Sequence, residues 1–297
     1  MRNNYYRKTT TNYQSFELRA HRFRKEMRPV FYTWLGITPE SCVLDAGCGS
    51  GVFTRYLAGG LTTGHITGFD INEAFIAYGQ TKAIADKMTL AVADGYALPY
   101  TDNTFDAVTN YTYTGVLADP AAGLAEMIRV CKNGGTVSCV VASNALPTAG
   151  RQGTYPFDTD GRLDILANRE SRIFSGLHTS SPQDGEWQLF QNAGLQEIHM
   201  YPFAHLICYN DSNFPFAYRK DLALAETQEE INWLQSRYAA NQAAYTENGF
   251  THEDYCGLLA LHKAKLSYLR EHFEESESFE WHGGYNYIIT GKKEECV

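Results

Sequence analysis

Short apolar segments alternate with amphipathic ones through the first half of the chain. Each short apolar segment that ends at a polar residue predicts a buried strand, and the segments between them repeat apolar residues at helical spacing. The predicted strands are 42–44, 66–69, 88–93, 105–110 and 136–142, and the predicted helices between them are 52–58, 73–85 and 121–131. This alternation predicts a parallel sheet with helices on both faces.

The second half of the chain completes the sheet after two interruptions. Segment 146–179 loses the alternation and is rich in Gly, Asp, Arg and Thr, which indicates a substrate-side loop or small cap. A sixth strand is predicted at 195–208 and a last strand at 285–291. The predicted fold class is therefore α/β, a Rossmann-like doubly wound, mostly parallel seven-stranded sheet with a helical insertion before the last strand.

Four sections follow from this pattern. An N-terminal helical segment, 1–40, contains a predicted helix at 15–35. The Rossmann-like core occupies 41–208, and residues 281–297 return the last strand to it. The helical insertion or cap, 209–280, contains two predicted helices, 226–245 and 251–275, of which the second opens with a capping-box-like Thr251 and Asp254.

Charge and cysteine usage narrow the class of protein. The 297 residues carry a net charge of −9, and because the first 29 residues carry eight Arg or Lys against two Glu, the rest carries about −15. This acidity disfavours nucleic acid as a partner. The seven Cys include no C-x-x-C pair, so no metal site is expected. Without an apparent signal peptide or membrane span, a reduced, cytoplasmic chain is expected.

One glycine-rich turn follows the first predicted strand. Asp45 precedes Gly47, Gly49 and Gly51, which fall on alternate positions, whereas a dinucleotide fingerprint requires G-x-G-x-x-G. The Asp before the first glycine would repel pyrophosphate and attract a cationic ligand. The turn therefore predicts close backbone approach to a cofactor other than a dinucleotide.

Two further acids end the next strands. Asp70 follows Gly51 by 19 residues, the spacing at which an acid typically binds ribose hydroxyls. Asp94 ends the third strand and is placed to accept a hydrogen bond from an exocyclic amine. Each of these residues could alternatively be a helix cap. Three acids at successive strand ends are better explained by one extended ligand along the sheet edge.

Five consecutive motifs resemble those of the class I S-adenosylmethionine-dependent methyltransferases, in the branch that includes the ubiquinone-biosynthesis enzymes. The resemblance covers about 41–144, and again 181–201 and 285–293. The motifs are V43-L-D-A-G-C-G-S-G51, G68-F-D70, A93-D-G-Y-A-L-P-Y100, F105-D-A-V108 and R129-V-C-K-N-G-G-T136.

The resemblance implies S-adenosyl-L-methionine as the cofactor and a small-molecule methyl acceptor. The glycine loop would hold the methionine part, Asp70 the ribose, Asp94 and the Gly95 amide the adenine, and the Asn110 carbonyl the methionine ammonium. The implied cofactor-binding residues are Asp45, Gly47, Cys48, Gly49, Gly51, Asp70, Ile71, Asp94, Gly95 and Asn110.

The resemblance assigns no catalytic residue. Many relatives place a His three residues before the Asp-Pro pair, where this chain has Val116 before Asp119 and Pro120. Nucleic-acid and glutamine methyltransferases carry Asn-Pro-Pro-Tyr, whereas this chain has Asn110-Tyr-Thr-Tyr113. The acceptor pocket is expected to be lined by Tyr13, Tyr111, Tyr113 and His178.

Two alternatives in function remain open from the sequence. One is a non-catalytic protein that binds S-adenosylmethionine, and the other is a methyltransferase that acts on a macromolecule. The insertion 209–280 is expected to help build the acceptor pocket together with 146–179 and the N-terminal segment. A homodimer interface is the alternative use of its amphipathic helices.

Overall fold

The computed structural model describes residues 17, 19–142, 148–152, 155–177, 185–209, 211, 214–274 and 279–294. These residues form two compact units. The first comprises the described parts of Met1–Asn144, Pro182–His205 and Gly284–Val297. The second comprises those of Ala145–Ser181 and Leu206–Gly283.

The first unit is built on a mostly parallel sheet with strand order β3-β2-β1-β4-β5-β8, and β7 also pairs with β8. Neighbouring strands from β1 to β5 run parallel, whereas β8 runs antiparallel to β5. The predicted seven-stranded sheet is confirmed. The strands are β1 Cys42–Ala46, β2 His65–Asp70, β3 Met88–Val92, β4 Phe105–Asn110, β5 Cys131–Ala142, β7 Gln196–Cys208 and β8 Phe279–Lys292.

Helices cover both faces of this sheet, as expected for buried parallel strands. On one face, Phe31 of α1 and Phe53 and Leu57 of α2 pack in a core with Val43 and Val140. On the other face, residues of α4 and α6 pack on alternate strand residues, among them Leu44 and Val108. The helices are α1 Arg28–Leu35, α2 Val52–Ala58, α3 Glu73–Gln80, α4 Pro120–Val130 and α6 Gly185–Asn192.

The strand register brings the ends of four strands to one edge. Asp45 lies beside Gly68 of β2, and Ala46 lies beside Asn110, the last residue of β4. Asp70 lies beside Val92, so β2 and β3 end together. The loops that carry the predicted cofactor residues therefore leave the sheet from its carboxyl edge.

The predicted N-terminal helix 15–35 is not continuous in the described residues. Two 3₁₀ turns, Arg19–Arg22 and Lys25–Met27, precede α1. Between them Arg24 is extended, with φ −71° and ψ 132°. The helical spacing in the sequence thus comes from short turns, and α1 begins only where Pro29 can occupy a first-turn position.

The second unit is mainly helical. Segment 146–179, predicted as a loop or small cap, contains a strand and a helix, β6 Thr148–Gln152 and α5 Arg162–Leu177. β6 pairs antiparallel with the first five residues of β8, adding a short eighth strand. The helices of the insertion are α7 Phe216–Glu247, kinked at Asn241, and α8 His252–His272, whose predicted Thr251–Asp254 capping box is confirmed. In the part of the chain that the structure describes, no helix is both long and apolar enough to cross a membrane.

Candidate functional site

The glycine loop between β1 and α2 depends on three residues in the left-handed region. Gly47, Gly49 and Gly51 have φ values of 64°, 55° and 78°. Side chains with a Cβ rarely adopt such values, so the alternate spacing of glycines follows from the backbone path. The amide of Cys48 donates a 2.8 Å hydrogen bond to the Phe69 carbonyl oxygen, which fixes the loop against β2.

Asp45 is fully buried beneath this loop. Thr54 Oγ1 donates a 2.6 Å hydrogen bond to Asp45 Oδ2. Among the described residues, the other carboxylate oxygen, Oδ1, has no hydrogen-bond partner. Burial raises the pKa of Asp45 to about 7, the Thr54 hydrogen bond lowers it and the Asp70 charge raises it. A cation placed near Asp45 would therefore favour its charged form.

Asp70 is partly exposed at the end of β2 and joins two loops. The Gly49 amide donates to Asp70 Oδ2 at 3.0 Å, and the Asn72 amide donates to Oδ1 at 2.9 Å. Burial raises the pKa of Asp70, and the two amides partly offset this effect. Both carboxylate oxygens keep lone pairs that hydroxyl donors could use. The adjacent Ile71 side chain is exposed on the same loop.

Asp94 is exposed on the loop after β3, where the Tyr96 amide donates a 3.0 Å hydrogen bond to its Oδ1. The next turn of this loop is held by α4. The Leu98 amide donates to Glu126 Oε2 at 2.8 Å, and Arg129 donates to both Glu126 and the Leu98 carbonyl oxygen. Asp94 and Gly95 are thus presented on a tethered loop.

Asn110 ends β4 with its side chain turned into the protein. Its Nδ2 lies 2.9 Å from Cys139 Sγ and 3.4 Å from the Ser138 carbonyl oxygen, and its Oδ1 accepts from the Tyr113 amide. Asn110 is fully buried and its side chain is used internally, so its backbone carbonyl stays a predicted partner of the methionine ammonium.

The two tyrosines predicted for the acceptor pocket separate onto opposite faces of the sheet. Tyr111 packs with the core under α1 and α2, where its ring lies 5.0 Å from that of Phe23. Tyr113 packs on the opposite face, edge-to-face against Phe69. Thr112 between them has φ 60°, which breaks the alternation of a strand. Tyr13 and His178 lie outside the described residues.

Sequence reasoning missed several polar contacts around the site. Arg22 Nη1 donates a 3.2 Å hydrogen bond to the Tyr111 hydroxyl. Glu17 accepts hydrogen bonds from Arg55 of α2 and from Ser50 in the glycine loop, at 2.6 and 3.2 Å. The basic composition of the N-terminal segment indicates that it can make polar contacts, but composition does not specify the residues that it contacts.

The region after β4 offers no substitute for the absent histidine. Val116 is exposed, and Asp119 caps α4 by accepting from the Ala122 amide. Within the described ranges, no cluster of three His, Cys, Asp or Glu residues could hold a metal ion.

Comparisons with known proteins agree with the fold. A family model described as "Methyltransferase domain" matches residues 44–139. The chain is 30% identical to a demethylmenaquinone methyltransferase of Bacillus cereus over 179 residues, which cover 57% of this chain and 76% of the relative. It is 31% identical to the Bacillus mycoides enzyme with the same coverage.

The fold has a counterpart of known structure. A Haemonchus contortus phosphoethanolamine N-methyltransferase 2 in complex with S-adenosyl-L-methionine has a TM-score of 0.50 and 15% identity, with 99% of this chain and 60% of that chain covered. The chain belongs to the class I S-adenosylmethionine-dependent methyltransferases, in the branch of the ubiquinone and menaquinone enzymes.

The protein is therefore an S-adenosylmethionine-dependent methyltransferase. The site residues fit this cofactor physically. Gly47 and Gly49 hold left-handed backbone conformations without a side chain, and the buried Asp45 carboxylate has one oxygen without a partner in the described chain. A sulfonium and an ammonium are the kind of charge that such a carboxylate attracts.

Proposed function

We propose that this enzyme transfers a methyl group to a small-molecule acceptor at the carboxyl end of β4. The observation that carries the acceptor side is the Arg22–Tyr111 hydrogen bond of 3.2 Å. Tyr111 directly follows Asn110, whose backbone carbonyl is the expected partner of the methionine ammonium. A guanidinium and a phenol next to that point can bind and orient a polar acceptor.

The cofactor residues have separate roles in this proposal. Asp45 provides negative charge beneath the glycine loop, and Asp70 receives the ribose hydroxyls while it holds the Gly49 amide. Asp94 and the Gly95 amide bind the adenine, with Ile71 beside it. Gly47, Cys48 and Gly51 shape the loop. The hydrogen bonds already made by Asp70 support its role because they hold the carboxylate in one orientation.

Bound S-adenosylmethionine supplies an electrophilic methyl group on a positively charged sulfur. The chain then has to orient a nucleophile about 3 Å from that carbon and in line with the breaking bond. Tyr111 is itself held by Arg22 and by the Phe23 and Phe53 rings, so its hydroxyl has a fixed position. The Arg22 guanidinium stabilises negative charge on an acceptor oxygen, which favours the reactive form of an acidic acceptor.

Relatives suggest which acceptor to test first. The similar Bacillus proteins are demethylmenaquinone methyltransferases. Demethylmenaquinone is accordingly the first candidate, and phosphoethanolamine is a chemically different comparison. Net charge supports a small acceptor rather than nucleic acid, since the chain carries −9.

The test is a transfer assay with methyl-labelled S-adenosylmethionine. Purified protein is incubated with each candidate acceptor and with a metabolite extract, and labelled products are identified by mass spectrometry. We expect label in a small molecule, with formation of an equal amount of S-adenosylhomocysteine. Label found only in protein or nucleic acid would contradict the proposal.

Two conservative variants test the acceptor side separately. Arg22→Lys and Tyr111→Phe should each lower kcat/KM for the acceptor at least tenfold, because Lys lacks the planar guanidinium fork and Phe lacks the hydroxyl. The dissociation constant of S-adenosylhomocysteine should stay within threefold of wild type. Equal losses in cofactor binding would show that the pair belongs to the cofactor site instead.

A further inference from the structure

Tyr113 lies among the residues assigned to the cofactor, although its place in the sequence suggests the acceptor side. It follows Asn110 by three residues, and its amide donates a 3.2 Å hydrogen bond to Asn110 Oδ1. This hydrogen bond and the left-handed Thr112 direct the side chain away from Tyr111 and toward the glycine loop. The position of the phenol ring is therefore set by the backbone at the end of β4.

The ring spans two glycines from different loops. A Cβ atom added to Gly47 would overlap ring carbons of Tyr113, and one added to Gly95 would overlap its hydroxyl oxygen. Both residues are therefore glycine partly because this tyrosine packs on them. One phenol thus connects the loop after β1, assigned to the methionine part, with the loop after β3, assigned to the adenine.

The rest of the environment is apolar on one side and acidic on the other. The ring packs edge-to-face on the buried Phe69, with centroids 6.0 Å apart, but the side chain remains partly exposed. Burial raises the pKa of Tyr113, and Tyr96, Asp94 and Asp70 raise it further. The hydroxyl is therefore neutral over the physiological range and lies near both acids assigned to adenosine.

We propose that Tyr113 is a cofactor-positioning residue whose ring forms the floor on which the adenosine part of the cofactor rests. This inference rests on the cofactor site proposed above and deepens it. A planar ring can pack against ribose and adenine without a charge of its own. Because adenosine is common to substrate and product, the ring should contribute equally to binding S-adenosylmethionine and S-adenosylhomocysteine.

Two other positions of the cofactor would give different results. If the cofactor occupied the volume of the ring, Tyr113 would have to swing out, and its removal would tighten binding. If the ring faced the sulfonium, a cation–π contact would favour S-adenosylmethionine over its neutral product. The affinities for S-adenosylmethionine and S-adenosylhomocysteine therefore distinguish both of these positions from the proposed one.

The experiment is calorimetric titration of both ligands into Tyr113→Phe, Tyr113→Leu and Tyr113→Ala, without any acceptor. We expect Tyr113→Phe to bind both within threefold of wild type, and Tyr113→Ala to lose at least tenfold for both alike. Tyr113→Leu, which retains apolar volume, should lie between them and serves as the informative variant if Tyr113→Ala fails to fold.

Tyr100→Ala is the matched control, because Tyr100 is another partly exposed tyrosine whose ring packs on Phe105 at the amino end of β4. It should leave both affinities unchanged. Unchanged affinity in Tyr113→Ala, tighter binding, or a loss confined to S-adenosylmethionine would each overturn the proposal. Since no acceptor is present, these outcomes are independent of whether the proposed acceptor class is right.

Discussion

Thr54 Oγ1 donates a 2.6 Å hydrogen bond to Asp45 Oδ2, joining the first turn of α2 to the end of β1 beneath the glycine loop. The hydrogen bond satisfies one oxygen of a carboxylate that is fully buried. Oδ1 of the same group has no partner in the described chain. This asymmetry makes Asp45 sensitive to a positive charge in the loop above it.

The first prediction is that cofactor affinity depends on pH through Asp45. Burial raises its pKa to about 7, and a bound cation favours the carboxylate, so binding below that pH requires release of a proton. Affinity should therefore rise with pH up to about 7, by up to about tenfold per pH unit, and then level off. Calorimetry from pH 5.5 to 8.5 measures this directly.

Asp45→Asn is the control for the pH dependence. It keeps the shape of the side chain but cannot ionise, so its affinity should be weaker near neutral pH and the dependence assigned to Asp45 should disappear. A wild-type affinity that does not change between pH 5.5 and 7 would contradict the assignment.

The second prediction concerns the conformation of the glycine loop. Gly49 has φ 55°, which a β-branched side chain adopts only with strain, so Gly49→Val should abolish measurable binding of S-adenosylhomocysteine. Ser50→Ala in the same loop removes only the 3.2 Å hydrogen bond to Glu17 and should weaken binding less than threefold. Normal binding by Gly49→Val would mean that the loop does not cradle the cofactor.

The third prediction concerns the buried hydroxyl of Thr109 in β4. Thr109 lies beside Asp45 in the strand register and is fully buried, yet its Oγ1 has no hydrogen-bond partner among the described residues. Replacing a buried unsatisfied hydroxyl by a methyl group removes a desolvation cost. Thr109→Val should therefore raise the free energy of unfolding by about 1 kcal/mol. A loss of stability in urea unfolding would instead indicate an ordered water between these strands.

The fourth prediction concerns Glu126, which ties the loop after β3 to α4. The hydrogen bond from Arg129 is the largest of the effects that lower the pKa of Glu126. Its stabilising contribution is therefore present above its unfolded pKa of about 4.3 and is lost as pH falls through the lower folded pKa. Unfolding curves of Glu126→Gln should show less acid destabilisation than wild type below about pH 4.3. An equal loss of stability in acid in both proteins would contradict this role.

How much could be predicted from sequence depends on whether a signal is local. The strands β1, β2 and β3 are marked by their own apolar residues, and the parallel register brings their ends together, with Asp70 at the end of β2 and Asp45 and Asp94 within two residues of the other two ends. The predicted end of helix 73–85 was wrong: α3 ends at Gln80, and Asp86 has φ 64°. No residue between Gln80 and Asp86 interrupts the apolar spacing that predicts the longer helix.

The two tyrosines show why the side-chain placement could not be predicted. Tyr111 and Tyr113 are two residues apart, which in a strand would put them on one face. The left-handed Thr112 instead sends them to opposite faces of the sheet. That φ value depends on the pairing of the Thr112 amide with the Val140 carbonyl oxygen, a contact between distant segments.

The placement of the cofactor is tested by calorimetric titration of S-adenosylhomocysteine into Asp70→Ala, with thermal unfolding to verify the fold. Hydrogen bonds to charged groups contribute about 1.5–3 kcal/mol each, and Asp70 is assigned the ribose hydroxyls while it holds the Gly49 amide at 3.0 Å. We expect a folded protein with at least tenfold weaker binding. A folded Asp70→Ala protein with wild-type affinity would contradict the placement of the cofactor along the ends of β1, β2 and β3.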